Sequence, residues 1–288
     1  MSWFQIATIL FFIFMVFKAS TAQLSPTFYA KTCPNVSSIV RGVVEQTQRN
    51  DPRIGAKLIR LHFHDCFVNA DGIQSEKKAL SNLSARGYEV IDDIKSALEN
   101  VCPGIVSCAD ILAIAAQISV ALDGGPTWEV QLGRRDSRVA NLHGAITSIP
   151  LSNETLNDLK AKFTSKGLDS TDLVALSCAH TFRQARCITF QDRMYNFNGT
   201  GNPDSILDSK YLKILHRRCL NKNKTVNDRG LLQSDQELFS TAVADSVTIV
   251  NRFAETKAEF FDAFGKSISR MGNIRPLTLD RKQWGDQD

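Results

Sequence analysis

Apolar side chains recur along the chain at three- and four-residue steps, and the two-residue alternation of half-buried strands is sparse. Val36 to Gln48 and Tyr88 to Asn100 each carry one apolar stripe and predict amphipathic helices. Ser107 to Leu122 is apolar nearly all round, interrupted by Asp110 and Gln117, which is the pattern of a helix enclosed inside a sizeable protein. Gly124-Gly-Pro126 ends it. Gly133-Arg-Arg-Asp136 and the segment on to Pro150, rich in Ala, Asn and Gly, read as loop. Thr155 to Phe163 predicts a further helix, and Ser170-Thr-Asp172 supplies capping residues for one that runs through Leu173, Val174 and Leu176 to His180. Asn196 to Asp204 is polar and reads as loop, and Ser234 to Ala254 as one long helix. Glu259 to Met271 sets Phe260, Phe261, Phe264, Ile268 and Met271 on a core-facing stripe. No repeat, low-complexity tract or linker divides the chain. The composite is an all-α protein.

Two histidine stretches stand out against this pattern. Asp51-Pro-Arg53 reads as a turn that starts a helix at Ile54, and that helix carries Arg60-Leu-His-Phe-His-Asp-Cys66. Residues four apart share a face, so Arg60 and His64 point the same way, with Phe63 beside them. A fixed cation next to an imidazole that takes and returns a proton suits catalysis. The plain alternative is a helix end whose basic groups meet solvent. The second stretch is Leu176-Ser-Cys-Ala-His180-Thr-Phe. Histidines on separate helices can flank a flat cofactor, one ligating iron while the other works on the open face. A ligating imidazole needs a carboxylate at its second N–H, and Ser234-Asp235-Gln236-Glu237 heads a later helix that can provide it. The rival is a non-haem metal held by His62, His64 and Asp65. It is weaker, because about 200° of helix separates His62 from His64.

Composition then narrows the setting. Trp3 to Phe17 is almost wholly apolar and Ser20-Thr-Ala22 gives small residues before a cut at Gln23, so residues 1–22 read as a secretory signal. The run is short for a membrane span, and nothing later has membrane length without charge. The remaining residues, 23–288, suffice for one large domain or two lobes sharing a core. The chain holds 34 basic and 30 acidic residues, spread along its length without an arginine-rich block, which disfavours nucleic acid as a partner and allows weak attraction to acidic wall polysaccharide. Asn35, Asn82, Asn153, Asn198 and Asn223 head glycosylation sequons. The 7 cysteines are dispersed with no C-x-x-C pair, which disfavours zinc ribbons and thioredoxin-like sites; the odd count leaves at least one thiol without an internal partner.

Along nearly all of residues 23–288 the chain resembles the secretory plant haem peroxidases (class III). The resemblance rests on the order and extent of Gln23-Leu-Ser-Pro-Thr-Phe-Tyr29, Arg60 to Val68, Val101-Cys-Pro-Gly-Ile-Val-Ser-Cys-Ala-Asp110, Leu132-Gly-Arg-Arg-Asp-Ser137 and Gly230-Leu-Leu-Gln-Ser-Asp-Gln-Glu-Leu-Phe239. It implies two helical lobes, not separate domains, that sandwich haem b, with hydrogen peroxide reduced at the expense of small phenolic donors. It further implies a monomer that is secreted to the extracellular space, cell wall or vacuole, with no membrane partner. By resemblance His64 is the distal base, Asn82 holds its far nitrogen, Glu76 supports that asparagine, Arg60 stabilises developing negative charge and Phe63 walls the pocket. His180 is implied as the axial ligand of the haem iron, Asp235 as its supporting carboxylate, and Pro150 as the residue that meets aromatic donors. Disulfides Cys33–Cys102 and Cys187–Cys219 are implied as well.

The chain also departs from that pattern. Val68-Asn-Ala-Asp-Gly72 runs directly to Ile73-Gln-Ser-Glu76, a loop about ten residues shorter than the family's, which leaves Asp65, the Val68 carbonyl and Asp71 for a distal calcium that prefers six to eight oxygens. A larger gap lies between Thr225 and Arg229, and Thr181 is the one obvious survivor of the proximal calcium ligands. Cys178 and Arg183 stand where the family has glycines. The C-terminus lacks the family's final cysteine, so Cys66, Cys108 and Cys178 have no implied partner. Two other readings follow from these departures: an inactive or unstable shortened relative, and a non-catalytic glycoprotein of the wall.

Overall fold

The computed structural model describes residues 24–68, 79, 82–137, 141–182, 184–221, 224–227 and 231–278. The signal at 1–22, the residues Asp71, Glu76, Arg183 and Asn223, and the tail from 279 lie outside the described residues. The chain forms helices α1 (Val36–Asn50), α2 (Ile54–Val68), α3 (Tyr88–Glu99), α4 (Cys108–Leu122), α5 (Leu142–Thr147), α6 (Leu156–Ser165) and α7 (Ser170–Ser177). There follow α8 (Gln191–Tyr195), α9 (Ser209–Arg218), α10 (Gln233–Ser240), α11 (Asp245–Glu255) and α12 (Lys257–Gly272). The all-α expectation holds. The described strands are β1 (Gln184–Arg186) and β2 (Thr225–Asn227), which pair antiparallel with Ala185 opposite Val226.

Helices α2 and α4 are apolar on most of their surface because each is a wall shared by two cores. Ile54, Leu58 and Leu61 of α2 pack with Val40 and Val44 of α1, Ile94 and Leu98 of α3, and Ile111 and Ala115 of α4. The other side of α2 presents Ile59, Phe67 and Val68 to a second core, with Ala116 and Val120 of α4, Leu159 and Phe163 of α6, Leu173 and Val174 of α7, and Phe264 and Ile268 of α12. A smaller third core gathers Ala185, Cys187, Phe190, Met194, Leu215, Val226 and Leu231. β2 pairs with β1 beside it, and Val226 and Leu231 are both buried there. Both implied disulfides, Cys33–Cys102 and Cys187–Cys219, are present, while Cys66, Cys108 and Cys178 are not bridged.

Asp110, the acid inside the apolar helix, has a structural purpose. It is fully buried, accepts from Tyr29 Oη at 2.8 Å and the Gly133 amide at 2.7 Å, and pairs with Arg134 Nη1 at 3.0 Å. Arg134 in turn donates to the Gly272 carbonyl from Nε at 3.1 Å and Nη2 at 2.7 Å, tying the first core to the end of α12. A buried charge survives because each is paired and hydrogen-bonded.

Several expectations are corrected. The stretch before Pro150 is not all loop: Asn141 caps α5, its Oδ1 accepting from the Gly144 amide at 2.7 Å. The N-cap of α7 is Asp169, just before the expected capping run, and Asp172 of that run completes its capping box; the α-helix ends at Ser177, with Cys178–Phe182 in a 3-10 turn. The helix expected over Ser234 to Ala254 is two, broken at Val243, where φ is 60°. Leu238 and Phe253 enter the same core, and an unbroken helix would set them about 22 Å apart. Within α12, Phe264, Ile268 and Met271 are buried, but Phe260 and Phe261 are only half-buried. The sequence reading missed α9, whose cap Asp208 accepts from the Tyr211 amide at 2.7 Å. Asn196 to Asp204 is mainly irregular but contains a 3-10 turn, Phe197–Gly199, with Asn198 at φ 51°.

Candidate active site

The helical period of α2 fixes one half of the site. Arg60 and His64 stand one turn apart, and Arg60 Nε donates to His64 Nε2 at 3.3 Å while Nη2 reaches Ser84 Oγ at 3.1 Å. His64 Nδ1 makes a short hydrogen bond to Asn82 Oδ1, and both residues are buried. These contacts select one tautomer. Asn82 Oδ1 is an acceptor, so Nδ1 carries the proton; Nε2 accepts from Arg60, so it carries a lone pair. Phe63 lies edge-on to His64, ring centroids 5.6 Å apart, and against Phe67 at 4.4 Å, which anchors it to the second core. The expectation that His62 points elsewhere also holds: its ring faces Cys66 Sγ, 3.6 Å from Nδ1.

The other half comes from the second core. The 3-10 turn after α7 presents His180, whose Nδ1 donates to Asp235 Oδ1 on α10 at 2.7 Å. Fifty-five residues separate the pair, so only the tertiary fold makes it. Ala179 and Leu176 pack on the same core as Phe63. Cys178 is half-buried, and burial first, then the Asp235 charge, push its thiol up to about 11, so it stays protonated at neutral pH. Pro150 is half-buried, and the preceding Ile149 carbonyl accepts from Lys162 Nζ at 2.9 Å, which fixes that bend.

The donor set fits a haem. With Nδ1 engaged by Asp235, His180 Nε2 has no hydrogen bond among the described residues and is the nitrogen an axial ligand would use. The described oxygens do not fit a full calcium site. Asp65 is half-buried, the Val68 carbonyl accepts from Asn141 Nδ2 at 3.3 Å, and the exposed Thr181 hydroxyl donates to the Cys178 carbonyl at 2.8 Å. Calcium takes six to eight oxygens, and these residues supply far fewer. Asp71 and Glu76 lie outside the described residues.

A buried imidazole set between an amide and a guanidinium, with a second, carboxylate-held imidazole in the turn after α7, is an arrangement that could serve a metal cofactor. The peroxidase family model matches residues 40–256. The chain is 51% identical over 310 residues to the lignin-forming anionic peroxidase of Nicotiana tabacum, with 96% of each chain covered. It is 52% identical over 300 residues to peroxidase 15 of Ipomoea batatas, 92% of each, and 49% identical over 308 residues to peroxidase 54 of Arabidopsis thaliana, 96% of this chain and 86% of that one. The chain belongs to the peroxidase family and is an oxidoreductase that acts on hydrogen peroxide. The first alignment spans 310 positions, more than the 288 residues here, so that relative carries segments without a counterpart in this chain.

Proposed function

We propose that this peroxidase is secreted, binds haem b at His180 and oxidises small phenolic donors with hydrogen peroxide. The observation that carries the reading is His64, buried and held in one tautomer by Asn82 and Arg60. Haem, when bound, supplies the redox chemistry. His64 Nε2 takes a proton from hydrogen peroxide and returns it to the departing oxygen, so that water leaves. The Arg60 guanidinium stabilises the negative charge that develops on that oxygen. Asp235 orients the His180 ring and raises its donor strength. Phe63 excludes bulky donors from the buried base, and Pro150 meets them at the edge of the site. The apolar leader at 1–22 supports export to the extracellular space, wall or vacuole. The modest basic excess supports weak attraction to acidic wall polysaccharide. Calcium, if retained, is held more weakly than a complete oxygen shell would hold it.

Peroxide consumption by the haem-loaded protein, with a phenol in excess, tests the assignment. His64→Leu lowers the rate by roughly 10²–10⁴-fold with haem retained, and His180→Ala releases haem on gel filtration. An unchanged rate in the first variant removes His64 from the mechanism; full haem retention with unaltered ligation in the second removes His180.

A further inference from the structure

One of the glycosylation sequons, Asn82-Leu-Ser84, is built from the same side chains that hold the two groups at work on peroxide. Asn82 Oδ1 accepts from His64 Nδ1, and Ser84 Oγ accepts from Arg60 Nη2 at 3.1 Å. The other described sequon asparagines, Asn35, Asn153 and Asn198, are exposed, as a large hydrated glycan requires. Asn82 is only 7% exposed, although its neighbour Leu83 is 56% exposed. Backbone bonds hold it there. The Asn82 and Leu83 amides donate to the Ala79 carbonyl at 2.8 and 3.1 Å, and the Ala85 amide donates to the Asn82 carbonyl at 2.9 Å. The folded protein therefore turns this acceptor inward, and the sequon is open to a modifying enzyme only before folding.

We infer that the nascent chain is glycosylated at Asn82 in part, and that this glycan and the folded active site exclude one another, so that the modification divides the product into folded peroxidase and an inactive glycoform. The apolar leader at 1–22 brings the unfolded chain to the secretory compartment, where the donor is a lipid-diphosphate-linked oligosaccharide. Transfer forms a bond from Asn82 Nδ2 to C1 of the first sugar and breaks the bond from C1 to the diphosphate oxygen. The Nδ2 proton is lost and the lipid diphosphate leaves with the bonding pair. Folding and transfer compete for the same segment, which makes occupancy partial. The modified amide still carries Oδ1, so the conflict is one of space and hydration. A polar glycan on so buried a side chain must either lose its water or pull the segment at 82–85 away from α2. Displacement takes the acceptor from His64 and the hydroxyl from Arg60 together. The loss of catalysis rests on the reading of His64 and Arg60 above; the conflict with folding does not.

The test uses the full chain with its leader, expressed through a eukaryotic secretory route, with secreted and retained protein sorted by haem content. Enzymatic release of N-glycans leaves aspartate at each modified asparagine, so the mass of the tryptic peptide from Ala79 to Arg86 reports on Asn82. The expected result is glycan at Asn82 in the haem-poor, protease-sensitive fraction and an unmodified Asn82 in haem-loaded protein. Peroxide consumption per mole of protein is roughly tenfold or more lower in the first fraction. Ser84→Ala removes the sequon but keeps Asn82, so the glycan disappears from that peptide and the protease-resistant share rises. Ser84→Thr keeps the sequon and a hydroxyl for Arg60, and the glycan persists. Glycan at Asn82 in folded, haem-loaded protein overturns the inference, as does its absence from Asn82 in every fraction. Glycan-free protein that folds without reducing peroxide counts against the functional reading instead, while the protease comparison still decides this inference.

Discussion

Replacing Asn82 with alanine isolates the contact that makes His64 a base. Both side chains are buried, His64 at 9% exposure and Asn82 at 7%, so water does not readily replace the lost acceptor. An imidazole N–H left unsatisfied in such a place costs about 1–3 kcal/mol. The ring can escape that cost by moving its proton to Nε2, but there it would meet the N–H of Arg60, 3.3 Å away, donor against donor. Either way the lone pair that receives the peroxide proton is lost or misdirected. At about 1.4 kcal/mol per factor of ten, kcat/KM for hydrogen peroxide falls roughly 5- to 150-fold. The assay is the initial rate with peroxide limiting and a phenol in excess, normalised to haem content. Asn82→Asp keeps an acceptor at the same reach and retains more activity than alanine. A folded, fully haem-loaded Asn82→Ala protein within twofold of the parent would refute the reasoning.

Three further outcomes follow from other contacts. Asp235→Asn weakens a charged hydrogen bond to His180, which is 2.7 Å long, and raises the potential of bound iron by about 60–120 mV, the equivalent of 1.5–3 kcal/mol; an unshifted redox titration counts against the pairing. Phe264→Ala empties a site that is 2% exposed and packed against Trp128 and Phe260, and lowers the unfolding free energy by about 3–5 kcal/mol in denaturant; a loss under 1 kcal/mol would mean that Phe264 does not anchor this core. Lys57 donates to Asp51 and holds its carboxyl below the ordinary 3.8, so the unfolded chain takes up that proton first. The stability so gained is complete above about pH 4 and is lost as pH falls through the depressed folded value. Asp51→Asn therefore flattens the fall in Tm between pH 5 and pH 2.5, and an unaltered slope would sink the assignment.

Local signals located much of the structure. The 3.6-residue period gave α1, α3, α4 and α6 to within two or three residues, because each has a single uninterrupted apolar face or is apolar throughout. Arg60 and His64 were legible as partners because four-residue spacing is a property of one helix. What escaped had little local signal. In α9 only Leu215 is fully buried, so its apolar stripe is thin among basic residues, and α5 is six residues long in a run of helix breakers. The break at Val243 has no glycine or proline to announce it; the need to return Phe253 to the core forces it.

The sequence by itself determined the helical class, the composition of the shared walls and the arrangement of Arg60, Phe63 and His64 on one helix, because these depend on neighbours within two turns. Through its resemblance it also implied the two disulfides and the pairing of His180 with Asp235. The pairing of His64 with Asn82 was implied in the same way; the tertiary structure alone decided that Asp110 meets Arg134 and Arg134 meets Gly272. It decided too that Gln184–Arg186 and Thr225–Asn227 pair antiparallel beside a small core. The long-range choices depend on burial and on hydrogen bonds between distant segments, and no window of a few helical turns contains both partners.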